Sequence, residues 1–164
     1  MRRALGWGLP LLVLAVYVYL ALVLGRQLTA LAGGQLPFDQ RIWGYDLHDT
    51  RQYLQVLRPA GYALYQGRVL WVDTLFAALL GGCLLWGMRP LRGAFGMVCV
   101  LGVIAYVGLD WGESMWVQRL LTAGPDWVIP RDVAGASAFT RAKFAALALA
   151  LVLAARQSLR RWRG

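Results

Sequence analysis

The sequence predicts an all-α integral membrane protein: a four-helix bundle with both termini cytoplasmic and a short amphipathic helix in its first outward loop. Three observations predict it. Four apolar stretches, at residues 5–24, 69–88, 93–109 and 136–155, make up nearly half of the 164 residues. Each is close to the ~20 residues that cross ~30 Å of hydrocarbon. The composition is 59% hydrophobic and only 15% charged, where a soluble domain carries about 25% charged residues. The charges themselves are placed asymmetrically around the stretches. Four spans and two longer loops use the whole length, so residues 1–164 form one domain, and no repeat or low-complexity linker interrupts them.

The net charge of +9 invites a nucleic-acid partner, and its placement argues against one. With the termini and the short turn Arg89–Arg92 on one side, that side holds Arg2, Arg3, Arg89, Arg92, Arg156, Arg160, Arg161 and Arg163, and no acid. All acids, Asp39, Asp46, Asp49, Asp73, Asp110, Glu113, Asp126 and Asp132, fall on or near the other side. Arginines packed beside span ends are what the positive-inside rule counts, so the termini face the cytoplasm and both long loops face outward. The basic tail then meets anionic lipid headgroups. Trp7, Trp86 and Trp162 near the inner ends, and Trp71, Trp111, Trp116 and Trp127 near the outer ends, make a double aromatic belt.

The first span carries Arg2, Arg3 and an Ala30-Leu31-Ala32 site, as a signal peptide would. Its apolar run exceeds the ~7–15 residues of a signal core, so it reads as an uncleaved span. The loop at residues 25–68 begins with a weakly ordered stretch over 26–37, then an aromatic segment, Phe38 to Tyr45. Asp46 or Asp49 caps a helix to about Leu57, with Leu47, Thr50, Leu54 and Leu57 on one stripe. Pro59 and Gly61 end it. The second span follows from Tyr62, and the short turn after it makes spans two and three antiparallel neighbours. The segment from Asp110 continues helical to Leu121 and breaks at Gly124-Pro125 and Pro130 before the fourth span. Cys83 and Cys99 are no C-x-x-C pair and read as small buried hydrophobes.

Asp73 is the most informative single residue. It lies five residues into an apolar run, and a carboxylate at the centre of a membrane helix costs about 2.5–3.5 kcal/mol on insertion scales. It must face the bundle interior and find a partner. Asp110 and Glu113 are three apart, on one helix face, as are Thr140 and Lys143. Arg141 projects about 200° away from Lys143, so Lys143 points inward, on the side of Thr140, and Arg141 outward. The outer ends of the spans thus offer Asp73, Asp110, Glu113, Thr140 and Lys143, to which the first loop and the entry to span two can add Arg41, Tyr45, Tyr65 and Arg68. These nine are the candidate ligand-binding residues. Asp110, Glu113 and Lys143 are also candidate acid–base groups. The same charges would equally serve as an ion-pair network locking the helices. His48 is the lone histidine, and without a second His or thiolate beside it no transition-metal site is expected. No P-loop, nucleophile elbow or dinucleotide glycine pattern appears, and no cofactor is expected.

The order Phe38-Asp39-x-Arg41 with Gly44-Tyr45, Tyr53-Leu54-x-x-Leu57, Gly67-Arg68 with Asp73, Asp110-x-x-Glu113 and Thr140-x-x-Lys143 resembles a group of small, uncharacterised four-span bacterial inner-membrane proteins. The resemblance covers residues 38–143. It implies an inner-membrane location and that these polar positions belong together, and it implies no activity. The chain departs from that pattern at Ser114, where the group has asparagine, and at Tyr65, which precedes Arg68 where the group has its tyrosine after the arginine.

Three functions fit these residues. The first is an outward-facing polar pocket, lidded by the loop helix, that binds a lipid headgroup or small amphiphile. The second is an accessory or assembly subunit of a larger membrane complex, with other membrane-protein subunits as partners. The third is a membrane enzyme using a carboxylate acid–base pair. Membrane lipids are partners in every case. A channel or transporter fits less well, because no inverted repeat or polar path through the inner half is visible.

Overall fold

The structure, a computed structural model, describes the backbone of residues 2–163 and the side chains of residues 7–160. Arg2, Arg3, Arg161, Trp162 and Arg163, which entered the charge and belt arguments, lie outside the described side chains. The chain is 86% helical, without a strand among the described residues. Four helices are long and apolar enough to cross a membrane: α1 (Trp7–Leu31), α3 (Pro59–Gly87), α4 (Gly93–Trp127) and α5, which runs Pro130–Arg163. Between α1 and α3 lie a 3-10 turn, Phe38–Gln40, and the short helix α2, Leu47–Val56.

The spans run longer than hydropathy alone implies. Residues 26–31, expected to be weakly ordered, continue α1 as helix, with Leu24 and Leu28 fully buried. α2 ends at its C-cap Leu57, just before Pro59 as expected, and Pro59 also opens α3: it holds the first helical position, where its missing N–H loses nothing and its fixed φ suits the first turn. Pro130 opens α5 in the same way. At the end of α4, Gly124 takes φ 70°, ψ −179°, which breaks the helix just before Pro125. The turn residues 128–129 then send α5 back along α4, and these two helices share the largest interface.

Asp46 caps α2 reciprocally with Asp49. The Asp46 carboxylate accepts from the Asp49 N–H at 2.8 Å, and the Asp49 carboxylate accepts from the Asp46 N–H at 3.3 Å. Thr50, Tyr53 and Leu54 form its buried face, which packs on α4 and, to a lesser extent, on α5.

Two apolar cores divide the bundle. One gathers Leu24, Leu28, Phe38, Tyr53, Leu54, Tyr65, Val117 and Leu120 around the loop end. The other gathers Leu84, Met88, Cys99, Val103, Ala150 and Leu153 toward the opposite end. Along α3, α4 and α5 the charged positions 73, 110, 113 and 143 fall between the two. At the far end Arg156 and Arg160 stack over the Phe95 ring, and Gln157 donates to the Pro90 carbonyl at 3.2 Å. The Arg89–Arg92 turn and the basic tail therefore share one end of the bundle.

Packing links α4 to α5, α3 to α4 and α1 to α3, with a smaller contact between α3 and α5. Among the described residues no comparable interface joins α1 to α5. That missing contact leaves a seam.

Candidate functional site

The deepest polar feature is built around Lys143. Its ammonium contacts the Glu113 carboxylate most closely, lies 3.2 Å from Asp110 Oδ1 and stands 3.9 Å from Asp73 Oδ2. The contributors come from three helices, α3, α4 and α5, and all four residues are buried. The Thr140 hydroxyl, one turn before Lys143, donates to Glu113 Oε1 and also reaches the Ala136 carbonyl at 3.1 Å. Arg141 is exposed, as its angular position requires. Helical geometry explains the arrangement: Ser137, Thr140 and Lys143 recur at three residues along α5, facing Tyr106, Asp110, Glu113 and Val117 on α4.

The carboxylates of Asp73, Asp110 and Glu113 offer oxygens within 4.8 Å of one another. That spacing would suit a hard divalent cation. The Lys143 ammonium bonds into the same position, supplying one positive charge to three carboxylates.

Above the cluster, the loop is tied down by aromatic residues. The Tyr65 hydroxyl accepts from the Phe38 N–H at 3.0 Å and donates to Asp39 Oδ1 at 2.7 Å. Phe38 packs its ring against Tyr45, Tyr53 and Tyr65. Arg41 lies over the rings of Phe38 and Tyr53 and donates from Nε to the Leu36 carbonyl at 3.0 Å. The Tyr45 N–H donates to Ser137 Oγ at 3.0 Å, joining the loop to α5. Gly44 permits this approach: it holds φ +87°, and a Cβ there would sit 2.5 Å from Ser137 Oγ. Gly25 does the same on α1, where a Cβ would sit 3.0 Å from the Gln40 amide. Burial pushes the Tyr45 and Tyr53 phenols well above their usual range, so both hydroxyls keep their protons. The Tyr45 hydroxyl is buried near Thr140 without a well-formed hydrogen bond.

Beside the cluster, in the α1–α5 seam, lies a partly open cavity of about 510 Å³. Asp39 and Gln40 of the 3-10 turn, with Asp73, Asp110 and Lys143, form its polar end. Its walls are Tyr17, Leu20 and Ala21 of α1, Phe76 and Leu80 of α3, Tyr106 of α4, and Phe144, Leu147 and Leu151 of α5. Leu147 and Leu151 lie one and two turns beyond Lys143, so the cavity descends roughly 12 Å below the charges at 1.5 Å per residue. Leu20 and Ala21 fall within a π-helical stretch of α1, Tyr19–Leu24, a local widening common beside functional sites.

Of the nine sequence candidates, Asp73, Asp110, Glu113, Thr140 and Lys143 meet in one cluster. Tyr45, Tyr65 and Arg41 surround it as the loop's fastenings and do not line the cavity. Arg68 is exposed and stands apart from the cluster. The expected lid is also displaced: no residue of α2 lines the cavity, and the roof is the turn at Asp39, Gln40 and Ile42. Asp39, Tyr106 and Phe144 were not among the candidates. Tyr106 precedes Asp110 by four residues on one helical face, and that spacing was the available signal. Ser114 faces a separate groove between α3 and α4, lined by Leu70, Trp71, Thr74 and Trp111. No protein-family model, curated protein or solved structure matches the chain.

Proposed function

We propose that this protein is a bacterial inner-membrane protein, its termini cytoplasmic, that binds a lipid headgroup or small amphiphile in the cavity between α1 and α5. One observation carries the reading: the cavity is polar at one end and apolar along its length. Asp39, Gln40, Asp73, Asp110 and Lys143 crown it, and leucines and aromatics line the descent. Its volume, about 510 Å³, falls in the roughly 300–1,000 Å³ range of small-molecule sites. A few convergent polar groups above apolar walls suit a molecule with a head and a chain. The outward orientation rests on the acid-free basic end of the bundle, which the positive-inside rule assigns to the cytoplasm.

The test is to purify the wild-type protein and a Leu147→Trp variant from the same membranes and extract bound small molecules for mass spectrometry. The indole would fill the apolar part of the cavity. An amphiphile enriched with the wild type and lost from the variant supports the reading. Identical extracts from two folded proteins overturn it.

A further inference from the structure

We infer that the amphiphile's head is a primary ammonium, seated against Asp39, Asp73 and Asp110. The inference rests on the cavity reading above and adds the charge and donor chemistry of the ligand.

Three carboxylates line the polar end, those of Asp39, Asp73 and Asp110, and among the described residues the only lining cation is Lys143. Lys143 makes its closest contact with a fourth carboxylate, Glu113, which does not line the cavity. Arg41, on the same loop, is turned to the Leu36 carbonyl and to Gln35 and lies over two aromatic rings. The lining carboxylates therefore share what remains of a single positive charge.

Their hydrogen bonding is equally incomplete. Asp110 is 2% exposed, yet its Oδ2 has no partner. Asp73 makes no hydrogen bond among the described residues, because Lys143 stands 3.9 Å away. Asp39 accepts from Tyr65 through one oxygen. Buried carboxylate oxygens without charge or donors are costly in a low-dielectric site. An ammonium brings one positive charge and three N–H donors, which answers both deficits. A phosphate head would add negative charge to three carboxylates, and a neutral alcohol would add a single donor. The apolar descent past Phe76 and Leu147 takes the chain. An ethanolamine lysophospholipid and a free long-chain amine both end in a primary ammonium, but the lysophospholipid also carries a phosphodiester two carbons away, so only the free amine brings a net positive charge.

The full chain in phosphatidylcholine nanodiscs, whose quaternary heads offer no N–H, is titrated with dodecylamine, dodecanol, dodecyl phosphate, ethanolamine lysophospholipid and magnesium chloride. Binding is read by native mass spectrometry and thermal shift. Dodecylamine is expected to bind at least about tenfold more tightly than dodecanol, the scale of a charge-assisted hydrogen bond, and dodecyl phosphate more weakly than either. Asp110→Asn should remove most of the preference for dodecylamine over dodecanol. Asp73→Asn, whose carboxylate is not bonded to Lys143, gives the same reading should Asp110→Asn fail to fold. Whichever of the lysophospholipid and dodecylamine binds tighter identifies the source of the head, and either result supports the inference. Equal or stronger binding of dodecanol or dodecyl phosphate overturns the ammonium while leaving the cavity reading intact. So does stabilisation by magnesium alone that matches the amine. Failure of every amphiphile to bind, or unchanged binding in Leu147→Trp, overturns the cavity reading itself.

Discussion

The Asp73 carboxylate stops 3.9 Å short of the Lys143 ammonium, although both residues are buried and line the same cavity. That gap exceeds the hydrogen-bond range of about 2.7–3.2 Å for N–H donors to oxygen. Removing the charge of Asp73 therefore breaks no hydrogen bond and leaves Lys143 with Glu113 and Asp110. Removing Lys143 leaves three buried carboxylates without a cation. Lys143→Met is expected to destabilise the protein by about 3–5 kcal/mol, and Asp73→Asn to be neutral or stabilising. Reversible unfolding in mixed micelles measures both. A larger loss for Asp73→Asn would mean that the gap closes in the membrane.

Replacing Asp73, Asp110, Glu113 and Lys143 together by apolar residues of similar volume removes every charge that needs compensation. The expected outcome is a folded protein, more stable than Lys143→Met, because deleting a whole buried ion cluster is often neutral or favourable where deleting one member is not. It should no longer retain the extracted amphiphile. Circular dichroism, size-exclusion chromatography and lipid extraction check the three parts, and a variant that still binds would remove the cluster from the site.

Tyr65→Phe deletes one hydroxyl that serves both the Phe38 N–H and Asp39. With the Phe38 N–H left buried and unpaired, about 1–3 kcal/mol of stability should be lost. The loss should be local to the roof: amide hydrogen exchange should quicken over residues 38–42 and stay unchanged in α4. Uniform change along the chain would show that Tyr65 supports the whole bundle instead.

Gly44 and Gly34 both hold positive φ, at +87° and +90°, but only Gly44 lies against a neighbour. An alanine at Gly34 meets backbone strain alone, on the order of 1–3 kcal/mol. At Gly44 it also displaces Ser137 from its bond with the Tyr45 N–H. Gly44→Ala should therefore lower the melting temperature more than Gly34→Ala, and Ser137→Ala should reproduce part of that excess.

The orientation is open to labelling. In a background with Cys83 and Cys99 replaced by alanine, cysteines are introduced at Gln55 and Ser158, both exposed positions. A membrane-impermeant maleimide added to intact cells should modify Gln55→Cys and reach Ser158→Cys only after lysis. The reverse pattern would invert the bundle and turn the cavity's polar end toward the cytoplasm.

Much of the architecture was legible because burial in a bilayer writes a strong pattern. The inward turn of Lys143 followed from its angle to Arg141 and its spacing from Thr140, and the meeting of α4 and α5 charges followed from two three-residue steps. The cap of α2 was visible in Asp46 and Asp49. Other features were hidden for physical reasons. Hydropathy measures depth in the membrane and not where hydrogen bonding ends, so the extra helix at residues 26–31 went unread, and the early entry into the second span, placed at Tyr62, fell three residues short of its start at Pro59. The roof was hidden as well. Asp39 reaches the cavity because Tyr65, 26 positions away, holds its carboxylate, and because Gly25 lets Gln40 approach α1. Contacts across that distance leave no periodic trace in the sequence.

The seam between α1 and α5 has a bearing on how occupancy should be counted. Those two helices do not pack closely, and their facing surfaces, including Leu20, Phe144 and Leu151, are where the cavity lies. A molecule arriving through such a gap comes sideways out of the bilayer and never crosses the water. Its relevant concentration is then a mole fraction among lipids, so diluting the aqueous phase leaves the site filled while diluting the membrane empties it. A protein of this shape would report on the composition of the leaflet around it.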